Sequence, residues 1–357
     1  MKILNIVRSL GYGGAPKHLA LIANGLARKG HEVYIYSYNW DTPLQKLENV
    51  VYIPEEHVIE GSPAKEYFFS IFKIRKQIKK LRPDVVITWR TNAGCLGELA
   101  SLGLKVKVLF AEMTDPYLES SKTLNAAKFV CDFSDGGIFQ TDSIRDYYKR
   151  LSPNGVVIQN PFVLEGGYPD IIDYHDRKKE IAVVGRMFLK QKRQDVALKA
   201  FELIHKALSD YKMVFYGDGE DFDKVKAAAN KLPIKNSLEF KGSVSNVISY
   251  VRQSKVLLLT SDYEGIPNTV LEAFAAGTPV VSTDCSPGGV RVEIDNGING
   301  FIVERGDYES AAARVVEVIK NPKLAEKFIV EGRKKLSYFD YDKVVDKWND
   351  YIIKFRR

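Results

Sequence analysis

Residues 255–289 read KVLLLTSDYEGIPNTVLEAFAAGTPVVSTDCSPGG. Val256 to Leu259 is an unbroken apolar run of the length a parallel strand buried on both faces requires. It empties into a polar turn, Ser261 to Pro267. A helix is predicted next: Asn268 is a good N-cap residue, Val270, Leu271, Phe274 and Ala275 recur at helical spacing, and Gly277 supplies the stop. Thr278 to Thr283 then reads as the following strand. Strand, loop, helix and strand in this order form the unit of an α/β fold with a parallel sheet. The loop after the first strand therefore lies at the carboxyl edge, where open α/β sheets bind ligands.

The chemistry sits in that loop and at the helix start. Residues Ile266, Pro267, Asn268 and Thr269 can aim backbone N–H groups, with the positive end of the helix dipole, at an anion. Two carboxylates flank the same spot, Glu264 before the helix and Glu272 in its early turns, with seven residues between them. Carboxylates beside a phosphate repel it unless each accepts hydrogen bonds from hydroxyls of the same ligand, as a ribose diol or a sugar offers. A phosphate next to a polyol describes a nucleotide-sugar. Taken alone, Glu272 is equally well a solvated helix residue; the combination favours the site.

The run EGIPNTVLEAFAAGTPVVSTD (264–284) closely resembles the glutamate–seven–glutamate signature of the GT-B retaining glycosyltransferases of family 4. Its continuation CSPGGVRVEIDNGINGFIV (285–303) resembles bacterial members that build surface polysaccharides and lipid-linked oligosaccharides. The resemblance covers nearly the whole chain. It implies an α/β fold of GT-B type, with two Rossmann-like, doubly wound domains facing an interdomain cleft, and a nucleotide-sugar as donor.

A chain of 357 residues suits two domains, each with its own core. No run approaches the roughly 20 apolar residues of a membrane span, and Met1 to Val7 leads straight into a strand rather than a signal peptide. Cys95, Cys131 and Cys285 have no metal-type spacing and read as reduced thiols of a cytosolic protein. The five histidines are scattered and make no ligand cluster. A net charge of +7 suits anionic substrates or anionic lipid; with no nucleic-acid-binding motif or aromatic-interleaved basic tract, nucleic acid is not an expected partner.

Residues 1–162 are expected to form the acceptor-binding domain and 163–341 the nucleotide-sugar domain, with a terminal helix over 342–357 crossing back onto the first. The first domain opens with a buried strand, Ile3 to Val7, whose exit is the glycine-rich turn Ser9 to Lys17. This turn is not GxGxxG, so a dinucleotide site fits poorly, and a Gly-Gly pair is often only a tight turn. In family 4 a Gly-Gly at this place faces the cleft, and Gly13 and Gly14 match it. The stretch KEYFFSIFKIRKQIKKLR (65–82) carries more aromatic surface than one core stripe requires, together with a cationic face. Core packing explains most of its apolar residues, yet the excess suits an anionic bilayer surface. The strand Val106 to Ala111 delivers Glu112 and Asp115 to a carboxyl edge. Many family 4 members place a histidine near here and this chain has none, so Glu112 and Asp115 are the local candidates for contacting acceptor or donor sugar; Asp115 before Pro116 also reads as a turn or N-cap residue.

After a Gly-, Pro- and Asp-rich linker, the second domain opens with the strand Glu180 to Val184 and then Gly185-Arg186. Arg186 and Lys192 match the spacing of the arginine and lysine that hold the donor diphosphate in the family, where fixed cations stabilise the charge growing on the leaving group. Lys190, Lys192 and Arg193 taken alone would be an ordinary solvated run. Val244 is the backbone-contact candidate for uracil. Asp221-Phe-Asp223 and Asp340-Tyr-Asp342 spell DxD but follow no buried strand, so they read as surface turns or caps, and no metal or other cofactor is expected. The reaction implied is retaining transfer of a hexose or N-acetylhexosamine from a UDP-sugar to a glycan acceptor. The acceptor is expected to be polyprenyl-diphosphate-linked, at the inner face of the membrane. Glu264 is assigned to the donor sugar and Glu272 to the ribose. A nucleotide-sugar epimerase and a non-catalytic nucleotide-sugar-binding protein are the alternatives.

Overall fold

The computed structural model describes residues 1–11, 14–39, 46–55, 63–118, 121–164 and 166–356, the side chains of Pro63 and Ala64 excepted. Two compact units emerge, Met1–Pro161 together with Phe339–Arg357, and Phe162–Tyr338.

In the first unit β1 (Lys2–Val7), α1 (Gly14–Arg28), β2 (Glu32–Ser37), β3 (Val50–Pro54), α2 (Pro63–Leu81), β4 (Val85–Trp89), α3 (Arg90–Ser101), β5 (Lys107–Glu112), α4 (Lys122–Cys131), β6 (Gly136–Phe139), α5 (Asp142–Tyr147) and β7 (Gly155–Val157) alternate along the chain. The sheet runs β3-β2-β1-β4-β5-β6-β7, with every neighbouring pair parallel. Strand order reverses between β1 and β4, which makes that gap the topological switch point of a doubly wound sheet. Period-two alternation sends Ile3 and Val7 of β1 to one face and Leu4 and Ile6 to the other. Trp89 ends β4 and leads directly into α3, with no loop between them.

The second unit repeats the plan with β8 (Lys178–Val184), α6 (Leu189–Lys192), α7 (Gln194–Ala207), β9 (Lys212–Tyr216), α8 (Phe222–Ala229), β10 (Leu238–Phe240), α9 (Val247–Val251), β11 (Ser254–Leu259), α10 (Asn268–Ala276), β12 (Val280–Thr283), α11 (Gly289–Glu293), β13 (Phe301–Val303), α12 (Tyr308–Lys320) and α13 (Pro322–Lys335). Its sheet order is β10-β9-β8-β11-β12-β13, all parallel, with the switch point between β8 and β11. The strand–helix–strand reading of 255–289 corresponds to β11, α10 and β12. Gly277 ends α10 in the left-handed region at φ 68°. Asn268 corrects one expectation: it is exposed and forms the first helical residue, while Pro267 holds the N-cap position and no side chain caps the helix.

The last helix, α14 (Tyr341–Ile352), returns to the first unit. Its apolar stripe of Val344, Val345, Trp348, Tyr351 and Ile352 is buried with the β1, β4 and α1 residues. The Trp348 ring stacks on Trp89, with centroids 5.2 Å apart and planes 6° from parallel, and the Trp89 indole N–H donates to Asn5 Oδ1 at 3.0 Å. Gly25 of α1 lets α14 approach, since a Cβ there would lie 2.4 Å from Val345. Tyr351 receives the Gly137 amide at 2.9 Å and donates to the Asn154 carbonyl. Trp348→Ala removes a fully buried aromatic from this seam, and an unfolding titration followed by first-unit fluorescence is expected to show a loss of about 3–5 kcal/mol. A loss below about 1 kcal/mol would mean that α14 adds little to that core.

Candidate functional site

At the switch point of the second unit, β8 and β11 release their chains side by side. The β8 exit begins with Gly185, at φ 152°, and the turn Gly217-Asp218-Gly219 after β9 presses against it. A Cβ on Gly217 would meet the Gly185 carbonyl oxygen at 2.0 Å, and one on Gly219 the Met187 carbonyl at 2.5 Å, so neither position admits a side chain. Met187 N–H donates to Asp218 O at 3.0 Å, and buried Asp221 receives the Leu189 amide at 2.9 Å. Asp221 is thus a brace: it holds the N-cap position of α8 without a side-chain cap bond, and its burial corrects the expectation of a surface turn. Asp340, the other DxD aspartate, caps α14 by accepting from Lys343 N at 3.1 Å.

Three cations that look alike in sequence then part ways. Lys190 is exposed. Arg193 sits in the left-handed region at φ 49°, between α6 and α7, and is pinned by Asp195 at 3.0 Å and Asp262 at 2.8 Å; those carboxylates hold its guanidinium well above the usual arginine range. Lys192 turns toward the β11 loop and pairs with Glu264, with side chains 16% and 11% exposed. Arg186 is exposed, lies over the Phe188 ring at 5.0 Å, and forms no ion pair with another described residue.

Glu264 is held by more than Lys192. Ser261 Oγ donates to its Oε1 at 2.8 Å and Gln191 Nε2 reaches its Oε2 at 3.4 Å and the Tyr263 carbonyl at 3.1 Å. The Glu264 amide donates to Ser286 O, and the Ser286 amide to Asp262 O, at 2.8 and 3.0 Å. Gly289, opening α11, packs so tightly under this loop that a Cβ would lie 1.5 Å from the Gly265 carbonyl oxygen. Beyond it, Asn268 and Thr269 begin α10 and have no carbonyl within the helix for their amides. Pro267 has no amide hydrogen, so of the four positions expected to offer N–H groups only Ile266, Asn268 and Thr269 can. Glu272 is half-buried on α10, on the same edge. Val244 follows β10, two strands away from β8, and is half-buried.

Gln191, Ser261 and Glu293 were not singled out in the sequence. The first two are short polar residues without motif spacing, and only the fold puts them on Glu264. Glu293 closes α11, is fully buried, and neither carboxyl oxygen has a partner among the described residues. Burial, and then the Glu264 charge, push its carboxyl well above the usual range. Nothing in the charge pattern of 285–303 separates it from surface acids.

In the first unit, Gly13 lies outside the described residues, and Gly14 opens α1, exposed. Glu112 ends β5 fully buried. Its Oε1 accepts from the Met113 and Thr114 amides at 2.9 and 3.0 Å and the Thr114 hydroxyl at 2.6 Å, and its Oε2 accepts from Thr91 Oγ1 at 2.7 Å. With its oxygens so occupied, Glu112 braces its own loop, and the expectation that it contacts a substrate is corrected on that ground. Asp115 is half-buried; Oδ1 accepts the Tyr117 amide at 2.8 Å, and Oδ2 is buried without a partner among the described residues. Among the described residues no group of three or more His, Cys, Asp or Glu side chains converges as a metal site would require.

Two family models match the chain, glycosyl transferases group 1 over residues 170–335 and Glycosyltransferase Family 4 over residues 12–165. A relative from Campylobacter jejuni, an α-1,4-N-acetyl-D-galactosaminyltransferase named for an undecaprenol-diphosphate-linked glycan, is 27% identical over 100% of this chain and 99% of its own. Among solved structures, the lipopolysaccharide outer core galactosyltransferase WaaB superposes with a TM-score of 0.80 at 19% identity, covering 99% of both chains. HepE from Anabaena, solved in complex with UDP, does so with a TM-score of 0.80 at 17% identity, covering 99% of this chain and 100% of its own. At that identity the two structures speak to the fold, the α/β GT-B architecture seen here. With both family models matched in sequence along the chain, and the same fold throughout, the protein belongs to the GT-B glycosyltransferases of family 4 type.

Proposed function

We propose that the protein moves a hexose or N-acetylhexosamine from a UDP-sugar to a glycan acceptor with retention of anomeric configuration, in the synthesis of a cell-surface polysaccharide or glycoconjugate. The observation that carries this reading is the Lys192–Glu264 pair at the β8/β11 switch point, beside the amides of Ile266, Asn268 and Thr269. A partly desolvated pair of this kind keeps an empty site neutral. An incoming donor offers each partner a replacement: the diphosphate takes Lys192 and Arg186, and the sugar hydroxyls take Glu264. Glu272 accepts from the ribose and Val244 lies along the uracil.

As the glycosidic bond breaks, negative charge grows on the diphosphate, where Arg186, Lys192 and the start of α10 stabilise it. The leaving phosphate oxygen takes the acceptor proton, so the reaction needs neither a protein base nor a metal. UDP in HepE, a protein of the same fold, supports the choice of nucleotide. On the first unit Gly14 belongs to the substrate site and Asp115 contacts the acceptor or the donor sugar, and the Campylobacter relative supports a polyprenyl-diphosphate-linked acceptor. Both family models being transferases, the epimerase and non-catalytic readings have no observation in their favour.

No described helix is long and apolar enough to cross a membrane, and attachment at the cytoplasmic face is proposed through α2. Ile74 and Ile78 are buried in the core, whereas Phe68, Phe69 and Phe72 are 57%, 49% and 55% exposed, with the Phe68 ring edge to face with both of the others. Exposed Lys65, Lys76, Lys79 and Lys80 lie on the same helix, the combination of aromatic wedge and cations that an anionic bilayer attracts.

Calorimetric titration with UDP-, GDP- and ADP-sugars is expected to give selective binding of a UDP-sugar, unchanged by EDTA; Glu264→Gln and Glu272→Gln should each weaken it at least about tenfold. Retained affinity in both variants would remove the assignment of those carboxylates. Lys192→Ala should lower kcat/KM by about 100-fold, the scale of losing one charge-stabilising group, and an unchanged value would place the diphosphate elsewhere. Replacing Phe68, Phe69 and Phe72 together by serine should abolish co-sedimentation with anionic vesicles while leaving donor affinity intact; equal sedimentation of both proteins would assign the aromatic cluster to another purpose.

A further inference from the structure

Behind the Lys192–Glu264 pair lies an acid that the donor exchange leaves unused. Glu293 closes α11, and that short helix is fixed at both ends. At its start Gly289 packs under the β11 loop, where a Cβ would lie 1.5 Å from the Gly265 carbonyl oxygen and 3.2 Å from Ile266 Cα. At its end the Glu293 carbonyl accepts from Asn299 Nδ2 at 3.0 Å, and Asn299 Oδ1 accepts the Asp295 amide at 2.8 Å. Residues four apart share a helix face, so the Glu293 side chain leaves α11 on the face that Gly289 turns to the loop. Helical side chains lean back toward the start of their helix, which directs this carboxyl toward the turn carrying Glu264, Gly265 and Ile266.

Glu293 is fully buried, and neither carboxyl oxygen has a hydrogen-bond partner among the described residues. An unpaired buried polar group costs stability, and an apolar side chain of similar size would avoid that cost. Glu264 faces it from the exit of β11, the buried Cys285 thiol from the exit of β12, and Lys335 from α13. The Lys335 ammonium is already held by Asp295 at 2.9 and 3.0 Å. Burial and the Glu264 charge therefore both favour the protonated acid, which carries one O–H donor.

Before the donor binds, Lys192 and Ser261 both reach Glu264 Oε1, which leaves Glu293 without an acceptor to serve. The diphosphate then draws Lys192 away, and a largely buried carboxylate loses its cation. We propose that Glu293 is a positioning residue for this exchange: as Lys192 leaves, the Glu293 O–H donates to the Glu264 carboxylate and holds it in place for the donor sugar. This rests on the reading that the donor takes Lys192, and it adds the group that replaces that lysine. Two carboxyls that share a proton carry a single charge between them, so they can lie together where two carboxylates would repel. As pH rises through the raised Glu293 value, the O–H is lost and the two charges oppose each other, so the hold on the sugar weakens.

The test is calorimetric titration of the full-length protein with UDP, UDP-glucose and UDP-N-acetylgalactosamine. It is run on the unaltered chain, on Glu293→Gln, whose amide can still donate, and on Glu293→Leu, which cannot. Glu293→Leu is expected to lose UDP-sugar affinity at least about tenfold, the scale of one hydrogen bond to a charged group, while UDP affinity and melting temperature are kept. Glu293→Gln should retain both affinities at pH 6. Between pH 6 and 9 the unaltered protein should lose UDP-sugar affinity relative to Glu293→Gln. Unchanged sugar affinity in Glu293→Leu, equal loss of UDP and UDP-sugar, or parallel pH profiles for the unaltered protein and Glu293→Gln would each overturn the role. Failure of the unaltered chain to bind UDP or either UDP-sugar would instead sink the donor assignment, and this inference with it.

Discussion

Lys192 and Glu264 neutralise each other across a gap that only a parallel, doubly wound sheet creates. One comes from the segment leaving β8 and the other from the segment leaving β11, strands distant in sequence and hydrogen-bonded in the sheet. Much of the surrounding structure keeps those two segments in place. Gly217 and Gly219 let the turn after β9 press against the β8 exit, and Gly289 lets α11 support the β11 exit. Arg193, bound to Asp262, ties the helix start after β8 to the loop after β11, and Thr260 Oγ1 donates to the Lys192 and Arg193 carbonyls at 2.9 and 3.0 Å. The ion pair is the visible end of a set of backbone contacts that admit no side chain at their closest points.

Local sequence carried the architecture well because the central strands β1, β4, β5, β11 and β12 are buried on both faces. Val256 to Leu259 and Ile3 to Val7 are apolar runs with little competing explanation, and helix stops such as Gly277 have a single cheap backbone solution. The same logic failed at Asn268, where a good capping residue lies one position inside the helix and a proline takes the cap. Helices α4, α5, α8, α9, α11 and α13 are not read from the chain, because their apolar stripes are short or dilute. Asn321 and Pro322 nevertheless form a proper start for α13, with Asn321 accepting the Leu324 amide at 3.2 Å.

The candidate site was legible as spacing and illegible as wiring. The separation of Arg186 from Lys192, and of Glu264 from Glu272, can be counted along the chain; that Lys192 pairs with Glu264 while Arg193 turns away to Asp262 depends on a left-handed residue between two helices. Glu112 misled for a related reason. An acid after a strand at the carboxyl edge satisfies the sequence criterion for a ligand residue, and only its hydrogen bonds reveal that it serves its own loop. In α2 the pattern divided cleanly: the aliphatic residues Ile74 and Ile78 went inward, and the aromatic excess stayed in solvent.

The return of α14 to the first unit has a consequence for biosynthesis. With Val344 and Val345, the residues Trp348, Tyr351 and Ile352 complete a core whose remaining members lie before residue 162, yet the ribosome makes them after the second unit. A nascent chain emerging from its amino terminus can assemble the whole second unit while the face of the first sheet around Trp89 still lacks its cover. The amino-terminal unit is therefore the later of the two to reach its final state. During synthesis the exposed β1–β4 face is the part of the chain that a holding chaperone would have most reason to occupy.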